Sequence, residues 1–350
     1  MRMMEWLSNK YLEHQRSAEI RDTAAAFPTS SCRAINVTRL EPVGSYERRK
    51  VMSAAGQEWT LGHLKWPQCD AAPQADFRGG SPSQPIAVLL TLDRNYLSAV
   101  PRWSRLVQQV TSMRCVIGTF DPQPERVCRA ARDARCECEV STFRSHGRAG
   151  DSSWSLNAPR RVGVRARFQI ARRLLPRFHG GVLMHDADVA FDSLEPFHTY
   201  LRWARRKGLD LIVQPNGPRR REAFEDLNFG LTWFASNAFV TSLLSCLLDS
   251  WEHPALIDTH LDPPDLGGSY RERSQPRLTH LLEDVQLRAP HRHGTGSPRL
   301  CALPREMRRH YAHATVGNGS SGDSAAAKLH RLDAIAHELD WRTPPTTRIP

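Results

Sequence analysis

The stretch Val182-Leu183-Met184-His185-Asp186-Ala187-Asp188-Val189-Ala190-Phe191 decides the fold. An apolar segment short enough to be a strand delivers two carboxylates, spaced i and i+2, at its C-terminal end. Residues two apart on an extended chain point to the same side. Asp186 and Asp188 can therefore face one cation, or one can take the metal while the other orders a hydroxyl. Ligands of open α/β sheets gather outside the carboxyl ends of the strands. Hard cations such as Mg²⁺ and Mn²⁺ prefer oxygen donors and leave positions for water or phosphate. An isolated Asp-x-Asp also reads as a solvated pair capping a turn, so its surroundings must discriminate.

Those surroundings alternate between the two periodicities. Upstream, His179-Gly180-Gly181 closes a turn, and Asn157-Ala158-Pro159 starts a helix, with proline in the first turn. Val164, Phe168, Ala171, Leu174 and Leu175 fall near one face of that helix. Further back, 86–92 is an unbroken apolar run between turn signals, the signature of a strand buried on both faces. A helical stretch at 100–110, a strand at 115–120, a helix at 124–134 and a strand starting at Val140 follow. Downstream, strands are expected at 209–213 and 231–234, a helix at 238–251, a loop at 253–270 and a helix at 278–287. Strands alternating with helices imply right-handed βαβ units and a parallel sheet. The expected fold class is α/β, a Rossmann-like mostly parallel sheet flanked by helices. Residues 1–84 lack sustained periodicity and end in Arg78-Gly79-Gly80-Ser81-Pro82-Ser83, which reads as an accessory segment and linker. The main domain is expected over 85–340, and 341–350 is a tail.

Composition narrows the function classes. The 350 residues are 40% hydrophobic, which supports a sizeable core and excludes wholesale disorder. The net charge of +11 is carried by arginine, since lysine occurs only at Lys10, Lys50, Lys65, Lys207 and Lys328. The arginines are scattered rather than clustered with aromatic platforms, which argues against nucleic acid as a partner. The eight cysteines permit disulfides without assigning them, and their spacing fits no zinc site. Cys115 and Cys246 lie in apolar runs and read as core residues. No stretch reaches the roughly 20 apolar residues of a membrane span. The start of the chain is too polar for a signal peptide.

Asp186 and Asp188 do not stand alone. The order helix, apolar strand, His185-Asp186-Ala187-Asp188-Val189, then Leu194-Glu195-Pro196-Phe197, resembles the nucleotide-diphospho-sugar transferase domain of the GT-A fold. Plant cell-wall xylosyl- and arabinosyltransferases are the group it is most similar to. Asp210-Leu211-Ile212-Val213-Gln214 followed by Asn228-Phe229-Gly230-Leu231-Thr232-Trp233-Phe234 looks like the family's Asn-x-Gly strand, which lies under the donor sugar. Tyr311-Ala312-His313-Ala314, Gly317 and Lys328 are similar to its closing His, Gly and Lys pattern. The resemblance covers roughly residues 86–335. Ser274-Gln275 stands where the family usually has Asp-Gln, and Arg165 or Arg167 where members often carry lysine.

The resemblance implies a hexosyl- or pentosyltransferase taking a nucleotide-sugar donor, a UDP-sugar, and a glycan or glycoprotein acceptor, with retention of configuration. It implies Mn²⁺ or Mg²⁺ held by Asp186, Asp188 and His313. It implies donor contacts from Asp186, Asn228, Gly230, Gln275, Lys328 and Arg165. It also implies a Golgi or secretory location, with membrane association only through a segment not visible in this chain. No residue stands out as nucleophile or base. Loss of the family Asp at Ser274 supports a second reading, an inactive sugar-nucleotide- or glycan-binding relic. A two-carboxylate glycoside hydrolase is disfavoured, because an i,i+2 pair on one strand end does not flank a glycosidic bond from both sides. Asn95 reads as a nucleotide contact or a turn residue, Asp192 as a turn residue, His185 as a packed strand residue, and His291 and His293 as solvated.

Overall fold

The computed structural model describes residues 46–52, 58–64, 69–70, 84–143, 159–215, 227–252 and 299–313, with single positions at 330 and 334. In chain order these form β1 (Tyr46–Met52), β2 (Glu58–Leu64), β3 (Ile86–Leu92), α1 (Val100–Gln108), β4 (Met113–Thr119), α2 (Pro124–Asp133), β5 (Glu137–Val140), α3 (Pro159–Leu174), β6 (Val182–His185), β7 (Val189–Phe191), α4 (Glu195–Arg206), β8 (Leu209–Pro215), β9 (Leu227–Phe234), α5 (Ala238–Glu252), β10 (Arg299–Ala302) and β11 (Tyr311–His313). β1 and β2 pair antiparallel with each other.

The core is a seven-stranded sheet in the order β10-β8-β9-β6-β3-β4-β5. Only β9 runs antiparallel to its neighbours, β6 and β8. This is the expected α/β architecture, a Rossmann-like mostly parallel sheet flanked by helices. β3 lies between β4 and β6, and Val88, Leu89 and Leu90 are at most 2% exposed, which explains its unbroken apolar run. α1 buries Val100, Trp103, Ser104 and Val107, the i, i+3, i+4, i+7 stripe of an amphipathic helix. Pro101 is tolerated because first-turn N–H groups need no intrahelical acceptor. Strand order runs outward from β3 to β5, then restarts with β6 on the other side of β3. Right-handed crossovers therefore put α1 and α2 on one face and α3 on the other. α3 packs on β3 and β4, with α5 against it and also on β8.

Gly180 and Gly181 feed the chain into β6, and both positions exclude a side chain. A Cβ on Gly180 would lie 2.6 Å from the Gln84 carbonyl oxygen. Gly181 has φ +93°, and its Cβ would lie 2.5 Å from the Phe234 carbonyl oxygen. This close approach lets the Trp233 indole N–H donate to the Gly180 carbonyl at 3.2 Å.

Several elements differ from the sequence reading. β5 ends at Val140 instead of starting there. As an edge strand it alternates cysteine with Glu137 and Glu139, and these glutamates pair with Arg173 and Arg177 of α3 and its trailing turn. Leu194-Glu195-Pro196 opens α4, which buries Phe197, Tyr200, Leu201 and Ala204. β7, β10 and β11 are three or four residues long, too short to show a period. The expected loop at 253–270 and helix at 278–287 lie outside the described residues.

Disulfides add covalent restraint. Cys115–Cys136 and Cys128–Cys138 staple the β4-α2-β5 unit. Cys69–Cys301 ties residue 69 to β10, where the Cys69 N–H also donates to the Ala302 carbonyl at 2.8 Å. The Tyr200 hydroxyl donates to the Asp70 carbonyl at 3.1 Å. Cys246 is disulfide-bonded as well. Cys115 and Cys246 are buried as expected, but each is also half of a bridge.

Replacing Cys115 and Cys136 together by alanine is expected to lower unfolding free energy by about 3 kcal/mol, read from urea denaturation at neutral pH. Gly181→Ala is expected to cost about 2 kcal/mol or more in the same assay, because the new Cβ is both strained and blocked.

Candidate active site

β6 ends at His185, and the chain turns through Asp186-Ala187-Asp188 into β7. The turn is closed by the Val189 N–H donating to the Asp186 carbonyl at 3.1 Å. From the neighbouring strand, the Gly230 carbonyl accepts the Asp186 N–H at 2.7 Å. The Asn228 side-chain oxygen accepts the Gly230 N–H at 2.8 Å and steadies that residue. Two expected donor residues, Asn228 and Gly230, are thus brought to the backbone of Asp186.

The Asp186 side chain is held separately. Its Oδ1 accepts from the Arg167 guanidinium, delivered by α3. Arg167 is buried, while the Asp186 carboxylate keeps 37% of its surface. One oxygen is therefore engaged while the group still reaches the site. The sequence leaves Arg165 and Arg167 as alternatives on α3, and the arginine that meets Asp186 is Arg167. Asp188 is half-buried at the far end of the turn.

His185 is 2% exposed, and its Nδ1 donates to the Asp186 carbonyl at 2.9 Å. Its ring lies 3.9 Å from the Trp103 ring and 5.4 Å from that of Phe191. It is a packed residue that supports the turn from below. Beside it, a pocket of about 120 Å³ opens between α1 and β7, with Trp103, Arg102, His185, Ala187 and Phe191 among its walls.

The C-terminal strand reaches the same place. β11 pairs antiparallel with β7, and His313 is the partner of Val189, the residue after Asp188. The sequence-expected ligand His313 is thereby set across from the Asp-x-Asp turn by its backbone; its side chain lies outside the described set, as do Gln275 and Lys328. Among the described residues, no three His, Cys, Asp or Glu side chains form a metal cluster. Asp186 and Asp188 nevertheless offer the hard oxygen donors that Mg²⁺ or Mn²⁺ takes.

The loops after β3 and β4 leave the sheet at the same carboxyl end as this turn. Asp121, 1% exposed, accepts from the Arg94 N–H, Nε and Nη2 at 3.0, 3.0 and 2.9 Å and from the Gln123 N–H at 2.8 Å. Burial alone would raise the Asp121 carboxyl, but these hydrogen bonds outweigh it and hold the group below the usual carboxylate value. Asp93 caps the turn after β3 by accepting the Asn95 N–H at 2.9 Å, and burial pushes its carboxyl upward. Asn95 itself is exposed in that turn. Sequence reading misses the Arg94–Asp121 pair, because nothing local links positions 27 residues apart.

No family model matches the chain, and no curated protein matches it in sequence. Solved structures similar to it include the glycosyltransferase GlyE of Streptococcus pneumoniae, at 13% identity and TM-score 0.39, covering 76% of this chain and 66% of that one. The galactosyltransferase LgtC, in complex with donor and acceptor sugar analogs, is similar at 13% identity and TM-score 0.37, covering 74% and 98%. The 4-diphosphocytidyl-2C-methyl-D-erythritol synthase of Anaerococcus prevotii is similar at 9% identity and TM-score 0.38, covering 71% and 96%. The chain spans less than two thirds of the GlyE structure's length.

Arg94→Ala is expected to cost about 3 kcal/mol, because it leaves a buried carboxylate without its charge partner. Because the Asp121 carboxyl is lowered in the folded state, its contribution is complete above the ordinary value of 3.8 and is lost as pH falls below it. The stability gap between wild type and Asp121→Asn, measured in urea at a series of pH values, should therefore shrink on acidification below pH 3.8.

Proposed function

We propose that this chain is a metal-dependent glycosyltransferase, moving a sugar from a UDP-sugar to a hydroxyl of a glycan or glycoprotein acceptor with retention of configuration. One observation carries the reading. The Asp-x-Asp turn leaves the central strand at the point where strand order reverses, which is where open α/β sheets bind ligands. There Asp186 is held by the Gly230 carbonyl through its N–H and by Arg167 through its carboxylate.

The residues divide the work by chemistry. Asp188 and His313 hold a divalent cation, with the second oxygen of Asp186 available to it or to the ribose. When bound, such a cation neutralises charge growing on the departing diphosphate. Arg167 orients the Asp186 carboxylate. The resemblance assigns Lys328 to the diphosphate and Gln275 to the donor sugar. Asn228 and Gly230 shape the floor under the donor. Fixed charges of this kind act on the leaving group without reorganising during reaction.

Redox chemistry supports the Golgi or secretory reading of location. All seven cysteines among the described residues are disulfide-bonded, which supports an oxidising compartment such as the Golgi lumen. Among the described residues no helix is long and apolar enough to cross a membrane. Arg94, Arg167, Arg173 and Arg177 are engaged by carboxylates of the domain, which supports a role for arginine other than nucleic-acid binding.

Titration calorimetry of UDP into the protein tests this reading. Binding is expected with Mn²⁺, absent with chelator, and absent in Asp188→Ala. Arg167→Ala should retain UDP but lose about a hundredfold in turnover of the cognate UDP-sugar, in line with the loss of one preorganised charged contact. Binding without turnover of any UDP-sugar would select the inactive relic, and no nucleoside diphosphate binding by folded protein would sink both.

A further inference from the structure

β7 and β11 form a two-stranded sheet of three residues each, with His313 opposite Val189, Ala312 opposite Ala190 and Tyr311 opposite Phe191. So short a pair is marginal by itself. Its register matters, because a slip of one residue turns every side chain of a strand to the other face. The pair is extended one step beyond its last register position by Asp192 and His310. The Asp192 N–H donates to the His310 carbonyl at 3.3 Å. The His310 Nδ1 donates to the Asp192 Oδ2 at 3.1 Å, across 118 residues of sequence. His310 Nε2 accepts from the Arg309 Nε at 3.1 Å, which leaves the ring proton on Nδ1, facing the carboxylate. The other Asp192 oxygen accepts the Ser193 N–H at 2.5 Å, so the carboxylate is anchored on its own strand. Beneath this, Tyr311 lies 6.0 Å and Phe191 5.2 Å, centre to centre, from the ring of Phe197.

We propose that Asp192 and His310 are positioning residues that lock β11 in register on β7 and so set His313 beside Asp188. This rests on the reading of Asp188 and His313 as cation ligands. The aromatic contacts hold the two strands together through apolar burial, which is not directional. A charge-assisted hydrogen bond between one particular carboxylate and one particular imidazole is directional, and here it joins Asp192 to His310. The pair lies outside the set of ligands, so its influence on the cation is exerted through the strand that carries His313.

The test uses the full chain with Asp192→Ala and His310→Ala, and with Asp192→Asn, which keeps an acceptor for the imidazole N–H. Hydrogen exchange of backbone amides 311–313 reads the latch directly, and calorimetric titration of Mn²⁺ in the presence of UDP reads its consequence. Both alanine variants should speed exchange at 311–313 and weaken Mn²⁺ by at least about tenfold, the usual effect of removing a support behind a metal ligand. Asp192→Asn should stay close to wild type on both measures. Adding His313→Ala to Asp192→Ala should cause no further loss of Mn²⁺ affinity beyond that of His313→Ala alone. Folded alanine variants with unchanged exchange and unchanged Mn²⁺ affinity would overturn the proposal, as would fully additive losses. A wild-type chain that binds UDP without any dependence on Mn²⁺ would instead remove the cation reading, and exchange at 311–313 then decides the latch alone.

Discussion

Between β3 and β6 the winding of the sheet reverses, and right-handed crossover does not allow helices of one face to serve both halves. The chain must therefore carry α3 across the opposite face, and the loops at the carboxyl ends of β3 and β6 diverge. That divergence opens a crevice where backbone polar groups can meet a ligand instead of a neighbouring strand. The charged pairs in the centre of the molecule are organised around it. Arg94 and Asp121 cross-link the loops on the β3–β4 side, and Arg167 and Asp186 do so between α3 and β6. Each pair places a charge where burial would otherwise be costly and balances it with the opposite charge.

The sheet half of this picture is readable from residues. β3 and β6 are runs of apolar side chains because both of their faces are covered, and so many consecutive apolar residues on an extended chain would leave one face wet in any half-exposed sheet. The Asp-x-Asp turn is equally readable, since carboxylates directly after a buried strand must leave the core. The choice between Arg165 and Arg167 is different in kind. Both lie on α3, and which one reaches β6 depends on how the helix is rotated on the sheet, a tertiary property that a periodicity of one residue type does not encode. α4 is hidden by Pro196, which reads as a turn locally yet is compatible with a helix start once Phe197, Tyr200 and Leu201 have a sheet face to bury against. β7 and β11 carry no pattern of their own. They exist because each supplies hydrogen bonds that the other lacks.

Charge is used here with more restraint than the excess of arginine suggests. Arg173 and Arg177 hold Glu137 and Glu139 on the edge strand β5, and Arg173 also donates to the Val140 carbonyl at 2.8 Å. A sheet edge is a place where another strand can add, and long charged side chains laid across it discourage that. The same residue type therefore does two jobs: guanidinium groups finish the sheet at its periphery and, at Asp186, orient an acid in its centre. Tyr311 shows the contrasting case, a polar group without charge, whose burial pushes its hydroxyl up to about 12 and keeps it neutral under the aromatic cluster.

The bridge between Cys69 and Cys301 spans 232 residues, whereas Cys115–Cys136 and Cys128–Cys138 span 21 and 10. During synthesis the two short bridges can close soon after their cysteines emerge. The thiol of Cys69 must wait until nearly the whole sheet has been made, and the four cysteines of the two short bridges pass it in the meantime. A chain built this way matures last at the edge strand that it needs to complete its sheet. Closing that bridge correctly then depends on exchange of any wrong pairings, a matter of thiol chemistry rather than of the stability of the finished fold.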